Sequence, residues 1–236
     1  MLEMHEYYQD LREYLGITDQ DIEMRGNNAS FRAAWKEAWD AKPRTTPEAI
    51  QSVYNETDVY LFRNVWYDFR AQQGKHARTT EHVRRYCMQH PDEVVYLVDY
   101  GCATGCLEKL MLDIENLRIT LADVPSPTLR FARWRFRNDR QVDFIEIEDQ
   151  ECLERLYDIV VCYDVLEHVL TPMSVIRHLT AHHRTGGPLF LYFSTRRSVG
   201  WHGGHLEESM VQHDRVMDYV GQHYDGLKWW RYRKKA

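Results

Sequence analysis

Residues 95 to 106 read Val-Tyr-Leu-Val-Asp-Tyr-Gly-Cys-Ala-Thr-Gly-Cys. An apolar run with one acid near its end passes straight into two glycines four apart, Gly101 and Gly105, and a helical pattern from Leu107 to Leu112 follows. Strands buried on both faces carry such runs, glycine lets backbone turn tightly and approach a ligand, and a helix start presents unpaired N–H groups. The stretch therefore asks for a buried parallel strand, a tight turn and a helix, which are the parts of an α/β ligand site. Asp99 narrows the ligand. A carboxylate at the carboxyl end of a strand suits an amino or hydroxyl group better than a phosphate.

A chain of 236 residues has room for one elaborated domain, or one domain and a small second one. Its apolar stretches, such as Ile159 to Cys162 or Leu189 to Phe193, fall far short of the roughly 20 residues that span a bilayer. No basic leader followed by an apolar run opens the sequence, so a cytoplasmic location without membrane attachment is expected. The five cysteines include no CxxC pair. Cys102 and Cys106 stand four apart with no second pair to complete a zinc site, so small buried thiols are the simpler reading. The net charge of −6 argues against a general nucleic-acid binder.

The pattern changes near residue 91. Before it, capping signals and apolar stripes predict helices: His5 to Leu15, a Thr18/Asp21 capping pair, Ser30 to Asp40, a start at Thr46-Pro47-Glu48, Asp58 to Gln72, and Thr80 to His90 after a polar loop at 74–78. Leu61, Phe62, Val65 and Trp66 form a stripe that reads first as core and second as the closing face of a lid. After Pro91 strand and helix alternate. Strands are expected at 94–100, 118–122, 142–147, 158–163 and 188–194, with helices at 106–116, 126–137, 151–155 and 169–183. Such βα units predict a doubly wound, mostly parallel α/β sheet with ligands at the carboxyl ends of its strands. Residues 1–91 then form an N-terminal helical extension and residues 92–236 the α/β domain.

The predicted strand tips all carry acids or polar groups: Asp99, Asp123, Glu148 with Asp149, and Asp164. So many carboxylates repel phosphate, and no Gly-Lys-Ser/Thr follows the turn as a P-loop requires. The dinucleotide fingerprint also fails, because Ala103 and Cys106 occupy its later glycine positions. A ligand with ribose hydroxyls, an ammonium group and a positive centre suits these acids. S-adenosyl-L-methionine has all three.

The segment Val98 to Gly105 resembles the glycine motif of class I S-adenosylmethionine-dependent methyltransferases. Tyr157 to Val169, about sixty residues on, is similar to the fourth-strand motif of that superfamily, especially its small-molecule branch. The resemblance covers roughly residues 92 to 206 and implies a Rossmann-like fold, with the N-terminal helices matching only as a generic lid. It implies that Asp99 and the backbone of Gly101, Cys102, Ala103 and Gly105 hold the methionine part of the cofactor. Asp123 would accept both ribose hydroxyls, Val124 would pack on the adenine, and Glu148 or, by preference, Asp149 would meet its amino group. Tyr163 and Asp164 would line the floor below the sulfonium, with His168 at the edge of the substrate chamber. Each isolated acid also has a plainer role as a helix cap, most readily Asp149 and Asp164.

Two departures from the family pattern stand out. Ala103 replaces the middle glycine, an exchange that costs little as long as its φ stays negative. After the fifth strand only a helix near 207–223 and one strand-like segment, 227–233, follow, so the last strand is expected to be missing or very short. The sheet is then trimmed, or a partner chain covers its edge and makes a homo-oligomer.

For the chemistry, alignment supplies much of the rate, and a hydroxyl acceptor gains from a general base. His168 is the first candidate, followed by His202 and His205 on a loop with three glycines between Ser198 and His205. His202, His205 and His213 also admit a metal reading, but loops near sites collect histidines for many reasons, and no metal is expected. His178, His182 and His183 read as surface. The expected substrate is a polar small molecule methylated on oxygen or nitrogen. An RNA- or protein-modifying enzyme is an alternative, motivated by Arg130, Arg133, Arg135, Arg137 and Arg140 and by the basic tail 228–235, although such runs are usually solvated faces. A non-catalytic partner subunit of the same fold is a further alternative.

Overall fold

A computed structural model describes residues 4–42, 45–71, 74–194, 205–228 and 230–236. The chain forms two compact units that interleave in sequence: residues 1–86, 102–115 and 124–140 make one, and residues 87–101, 116–123 and 141–236 make the other.

The first unit is helical. It contains α1 (Met4–Leu15), α2 (Asp19–Gly26), α3 (Asn28–Asp40), α4 (Pro47–Glu56), α5 (Val59–Ala71), most of α6 (Lys75–Gln89) and α7 (Pro127–Arg135). Local capping fixes the helix starts. The Thr18 side chain accepts from the Asp21 N–H while Asp21 accepts from the Thr18 N–H at 2.8 Å, a complete capping box. Thr46 and Ser126 cap α4 and α7, each ahead of a proline at the first turn. The α5 stripe is core: Leu61, Phe62 and Val65 pack with Tyr8, Leu11, Ile22 and Phe131. A Cβ on Gly26 would meet Trp66 Cβ at 2.6 Å, so glycine allows α2 and α5 to approach closely. Helix α6 begins at Lys75, through the stretch expected to be a polar loop. The arginines of α7 make no continuous cationic stripe. Arg135 is buried against Asp10, with Nε 3.0 Å from its carboxylate, and donates to the Thr104 carbonyl at 3.0 Å. Arg137 lies over the Trp134 ring at 4.0 Å.

The second unit is built on one seven-stranded sheet in the order β3-β2-β1-β4-β5-β7-β6. Its strands are β1 (Val95–Tyr100), β2 (Leu117–Asp123), β3 (Val142–Glu146), β4 (Ile159–Tyr163), β5 (Pro188–Tyr192), β6 (Tyr224–Lys228) and β7 (Arg231–Lys234). The first five pair in parallel, β7 runs antiparallel to β5, and β6 runs antiparallel to β7 and so shares the direction of the first five. This is the mixed, mostly parallel Rossmann-like arrangement. Every residue of β4 is buried, as a central parallel strand requires. Asp158 locks the start of β4 to β1 by accepting the Tyr96 N–H at 2.8 Å, while its own N–H donates to the Tyr96 carbonyl.

Several expectations change. The expected helix at 106–116 is a single 3-10 turn at Glu108–Leu110, and residues 151–155 form no helix. His178, on α8 (Pro172–Ala181), accepts the Leu153 N–H at 2.9 Å and holds that segment as a loop. The region expected to be one helix at 207–223 divides into α9 (Glu207–Met210) and α10 (His213–His223). The last strand is present. Residues 224–234 form a hairpin with a bulge between Gly226 and Lys228, so the sheet is not trimmed and the reason for expecting a partner chain at its edge falls away. The tail's lysines serve the fold as well: Lys234 donates to the Thr180 carbonyl at 2.7 Å and Lys235 to the Gly221 carbonyl at 2.7 Å. No described helix is long and apolar enough to cross a membrane.

His178 and His183 are buried rather than on the surface, at 8% and 1% exposure. His183 accepts or donates at 3.2 Å to the Tyr224 hydroxyl, and burial together with the nearby Lys234 ammonium drives its pKa down from 6.5 to about 3. The folded imidazole thus stays neutral where the unfolded one is protonated. Between pH 6.5 and about 3 the unfolded chain binds more protons, so stability falls as pH drops through that window, by up to about 1.4 kcal/mol per pH unit. Urea unfolding of the parent chain and of His183→Gln at pH 7 and pH 4.5 should show a shallower pH dependence in the variant. Equal slopes would mean that His183 is not held neutral.

Candidate active site

The sheet order reverses between β1 and β4, and in open parallel sheets ligands bind at the carboxyl ends of the strands beside such a reversal. Asp99 pairs with Leu121 on β2 and with Val161 on β4. It is 6% exposed, a carboxylate carried almost wholly inside at the end of the central strand. Tyr100 pairs with Ala122, and the Gly101 N–H continues the ladder to the Ala122 carbonyl at 2.7 Å. Continued in register, Gly101 follows the end of β1 between the ends of β2, at Asp123, and of β4, at Tyr163. Asp123 itself faces Glu146 on β3 and its carbonyl accepts the Ile147 N–H at 2.8 Å.

The turn after β1 is built from left-handed residues. Gly101, Ala103 and Gly105 have φ of 83°, 51° and 68°. Ala103 therefore does not keep the negative φ expected of it; it sits in the left-handed region at the steric cost that a Cβ brings there. The Gly105 N–H closes the turn on the Cys102 carbonyl at 3.0 Å. Gly101 is required for a second reason. A Cβ there would lie 2.2 Å from Val165 Cγ2, in the segment after β4.

The remaining predicted residues fall in several places. Cys102 is buried, and Val124 follows β2 half-buried. Glu148 and Asp149 are exposed after β3, and the Asp149 carboxylate accepts the Glu151 N–H at 3.2 Å, a turn contact rather than the helix cap read from the sequence, since no helix follows. Asp164 is exposed with φ of 55°, and its N–H donates to the Tyr192 carbonyl at 3.0 Å. Tyr163 is 9% exposed at the end of β4. His202, with the rest of residues 195–204, lies outside the described residues. His205 is described and comes to His168, the ring centroids 5.1 Å apart and the rings at 71°. His213 is elsewhere, its ring against Phe193 at 4.9 Å and its Nδ1 3.0 Å from the Asp214 carboxylate. The cluster read from His202, His205 and His213 is thus not the one the described residues bring together.

Two residues that the sequence reading passed over belong here. Tyr100 donates its hydroxyl to the Gln150 carbonyl at 3.1 Å, tying the β1 tip to the segment after β3, and burial pushes its phenol well above the ordinary range. Glu167 is 1% exposed and accepts the Ser194 N–H at 3.3 Å. The signal was present: an acid inside the apolar run Val165-Leu166-Glu167-His168-Val169-Leu170 has no place unless something there needs it.

None of the five cysteines is in a disulfide. Cys87, Cys102 and Cys162 are buried, and burial pushes the Cys162 thiol well up. The donor set at the strand tips suits S-adenosylmethionine in its chemistry: a buried carboxylate, Asp99, can receive an ammonium group, and a second acid at the β2 tip, Asp123, can receive vicinal hydroxyls.

The strand order and the turn after β1 define a Rossmann-like fold of the methyltransferase kind. Comparison with known proteins agrees. Residues 98–189 match the model of a methyltransferase domain. The chain is 29% identical over 109 residues to a ubiquinone biosynthesis O-methyltransferase of Erwinia tasmaniensis, covering 44% of each chain. It is 35% identical over 103 residues to the enzyme of the same name from Vibrio vulnificus, covering 42% of this chain and 43% of that one. The match thus spans less than half the length of these curated relatives. Among solved structures, an O-methyltransferase family protein from Burkholderia thailandensis superposes with a TM-score of 0.59 at 14% identity, over 87% of this chain and 70% of that one, a likeness of fold. Residues 98–189, under half of the chain, are thus similar to the methyltransferase domain of S-adenosylmethionine-dependent enzymes.

Replacing Gly101 by alanine should destabilise the chain by about 2–4 kcal/mol, from the left-handed φ and the overlap with Val165 together. Adding Val165→Ala should recover the packing share but not the φ share. Chemical denaturation of the two single variants and the double variant measures both. A Gly101→Ala chain as stable as the parent would refute the close approach.

Proposed function

We propose that the protein transfers the methyl group of S-adenosylmethionine to an oxygen or nitrogen of a polar small molecule. The observation that carries this reading is the acid pair Asp99 and Asp123 at the adjacent tips of β1 and β2, inside a segment that matches a methyltransferase domain. When bound, the cofactor supplies a methyl group on a sulfonium, which passes in line to the acceptor as the carbon–sulfur bond breaks and its electron pair stays on sulfur.

The chain's own residues bind and orient. Asp99 and the backbone from Gly101 through Gly105 hold the methionine end, Asp123 takes the ribose hydroxyls, and Val124 packs on the adenine. Tyr163 and Asp164 form the floor near the reacting centre. Of the two acids after β3, Glu148 is the better partner for the adenine amino group, because Asp149 already serves the Glu151 N–H. Activation of the acceptor falls to the imidazole pair His168 and His205. The curated relatives named above are O-methyltransferases, which favours an oxygen acceptor. Residues 1–91 are a helical extension in this reading, supported by the break in sequence pattern at Pro91.

Calorimetry with S-adenosylmethionine tests the proposal directly. The parent chain should bind it, and Asp123→Ala should bind about 10- to 100-fold more weakly, the loss expected for two hydrogen bonds to a charged acceptor. Unchanged affinity in Asp123→Ala would overturn the assignment of the ribose site, and no binding by the parent chain would overturn the function.

A further inference from the structure

We propose that Glu167, His168 and His205 form a divalent transition-metal site whose open positions receive the acceptor hydroxyl. The metal site stands on geometry alone; its role toward the acceptor rests on the methyl-transfer reading.

The three side chains offer one carboxylate oxygen and two imidazole nitrogens, all within 4.8 Å of one another. Glu167 and His168 are neighbours in the 3-10 turn Leu166–His168 that follows β4. His205 arrives from the far side of β5, just ahead of α9, and the backbone fixes it there. The Leu206 N–H donates to the Glu167 carbonyl at 2.9 Å, the Ser209 hydroxyl donates to the Val169 carbonyl, and Gln212 Nε2 donates to the Leu170 carbonyl at 3.1 Å. These bonds all fall between residues 167–170 and 206–212, so the two ligand-bearing stretches are held next to each other. Donors fixed in this way cost little entropy when an ion gathers them.

The chemistry of the set selects the ion. Two imidazoles and one carboxylate suit Zn²⁺, Mn²⁺, Co²⁺ or Fe²⁺ rather than Mg²⁺ or Ca²⁺, which prefer oxygen ligands throughout. Catalytic zinc sites of the His₂Glu type leave a position open for water or substrate. Bond lengths of about 2.0–2.2 Å require the donors to draw together somewhat, by side-chain rotation alone. Burial adds to the case. Glu167 is 1% exposed, and a carboxylate so far from water gains from a cation at hand, while both histidines are half-buried.

Position gives the site its use. Glu167 lies three residues beyond Asp164 at the carboxyl end of β4, the strand that borders the sheet's reversal. A cation there acts as a Lewis acid on a hydroxyl that binds it, lowering the hydroxyl's pKa so that its proton leaves to solvent water and the oxygen remains as the nucleophile. The imidazoles then act as ligands, and neither needs to take the proton. The acceptor class this implies is a hydroxyl acidic enough to ionise on a metal, such as a phenol.

The test uses the full chain without a histidine tag, stripped with a chelator and titrated with Zn²⁺, Mn²⁺ and Co²⁺ by calorimetry, with visible absorption as a second readout for Co²⁺. One ion per chain should bind, with Co²⁺ bands of a site bearing nitrogen ligands. His205→Ala and Glu167→Gln should each weaken binding by at least about 10-fold, while His213→Ala leaves it unchanged and circular dichroism shows all three variants folded. No stoichiometric binding by the parent chain, or unaltered affinity in folded His205→Ala and Glu167→Gln chains, overturns the proposal. S-adenosylmethionine titrated into the stripped chain reports separately on the cofactor reading. Cofactor binding without metal binding sinks this inference alone, and metal binding without cofactor binding sinks the methyl-transfer reading while leaving the metal site.

Discussion

Parallel pairing of β1 with β2 on one side and β4 on the other is the constraint on which the site depends. Each pairing fixes a register, and the two registers together place the end of β2, the turn at Gly101 and the end of β4 abreast. A slip of one residue in either would turn Asp99 to the opposite face and move Asp123 away from the turn. Burial on both faces makes such slips expensive: Leu97, Val98, Ile159, Val160 and Val161 are all fully enclosed. Asp158 reinforces the β1–β4 register with a side-chain bond to Tyr96, so a carboxylate at one end of the strands helps fix the position of those at the other.

The strand tips then carry conformations that ordinary residues avoid. Ala103 and Asp164 are non-glycine residues in the left-handed region, and both lie just beyond the ends of strands that border the sheet's reversal. Each costs on the order of 1 kcal/mol or more, and such outliers collect where a site needs backbone in a set direction. Gly101 shows the complementary solution, a residue with no Cβ where both φ and the Val165 side chain forbid one. Its presence answers to the protein's own packing as much as to any ligand.

What could be read from the sequence follows from how local each cause is. The apolar runs of β1, β4 and β5 and the capping pairs at Thr18, Thr46 and Ser126 depend on near neighbours in the chain, and they appear where the pattern puts them. Residues 106–116 have good helix formers, yet Leu107, Met111 and Ile114 are all buried and successive three-residue turns replace the helix. Tertiary packing overrides propensity there. His178 and His183 were invisible as core residues because their partners, the Leu153 N–H and the Tyr224 hydroxyl, lie 25 and 41 positions away. The terminal hairpin was hidden by its shortness, with β7 only four residues long and a bulge interrupting the pairing. His205 joined His168 through bonds made by Leu206, Ser209 and Gln212, none of which carries a motif.

The order of the sheet separates two kinds of chemistry. On the β2 side of the reversal stand carboxylates, Asp99 and Asp123, suited to hydroxyl and ammonium groups. On the β4 side the chain presents Glu167 with two imidazoles, a set suited to a cation and, through it, to an acidic hydroxyl. A methyl transfer needs both kinds at once: a positive donor held firmly on one side, and an electron-rich acceptor facing it in line on the other. A bare carboxylate cluster on the β4 side would repel an ionised acceptor, whereas two neutral imidazoles and one carboxylate around a divalent ion leave net positive charge for it. With a divalent ion held there as proposed, the two walls of the crevice would carry opposite electrostatic character.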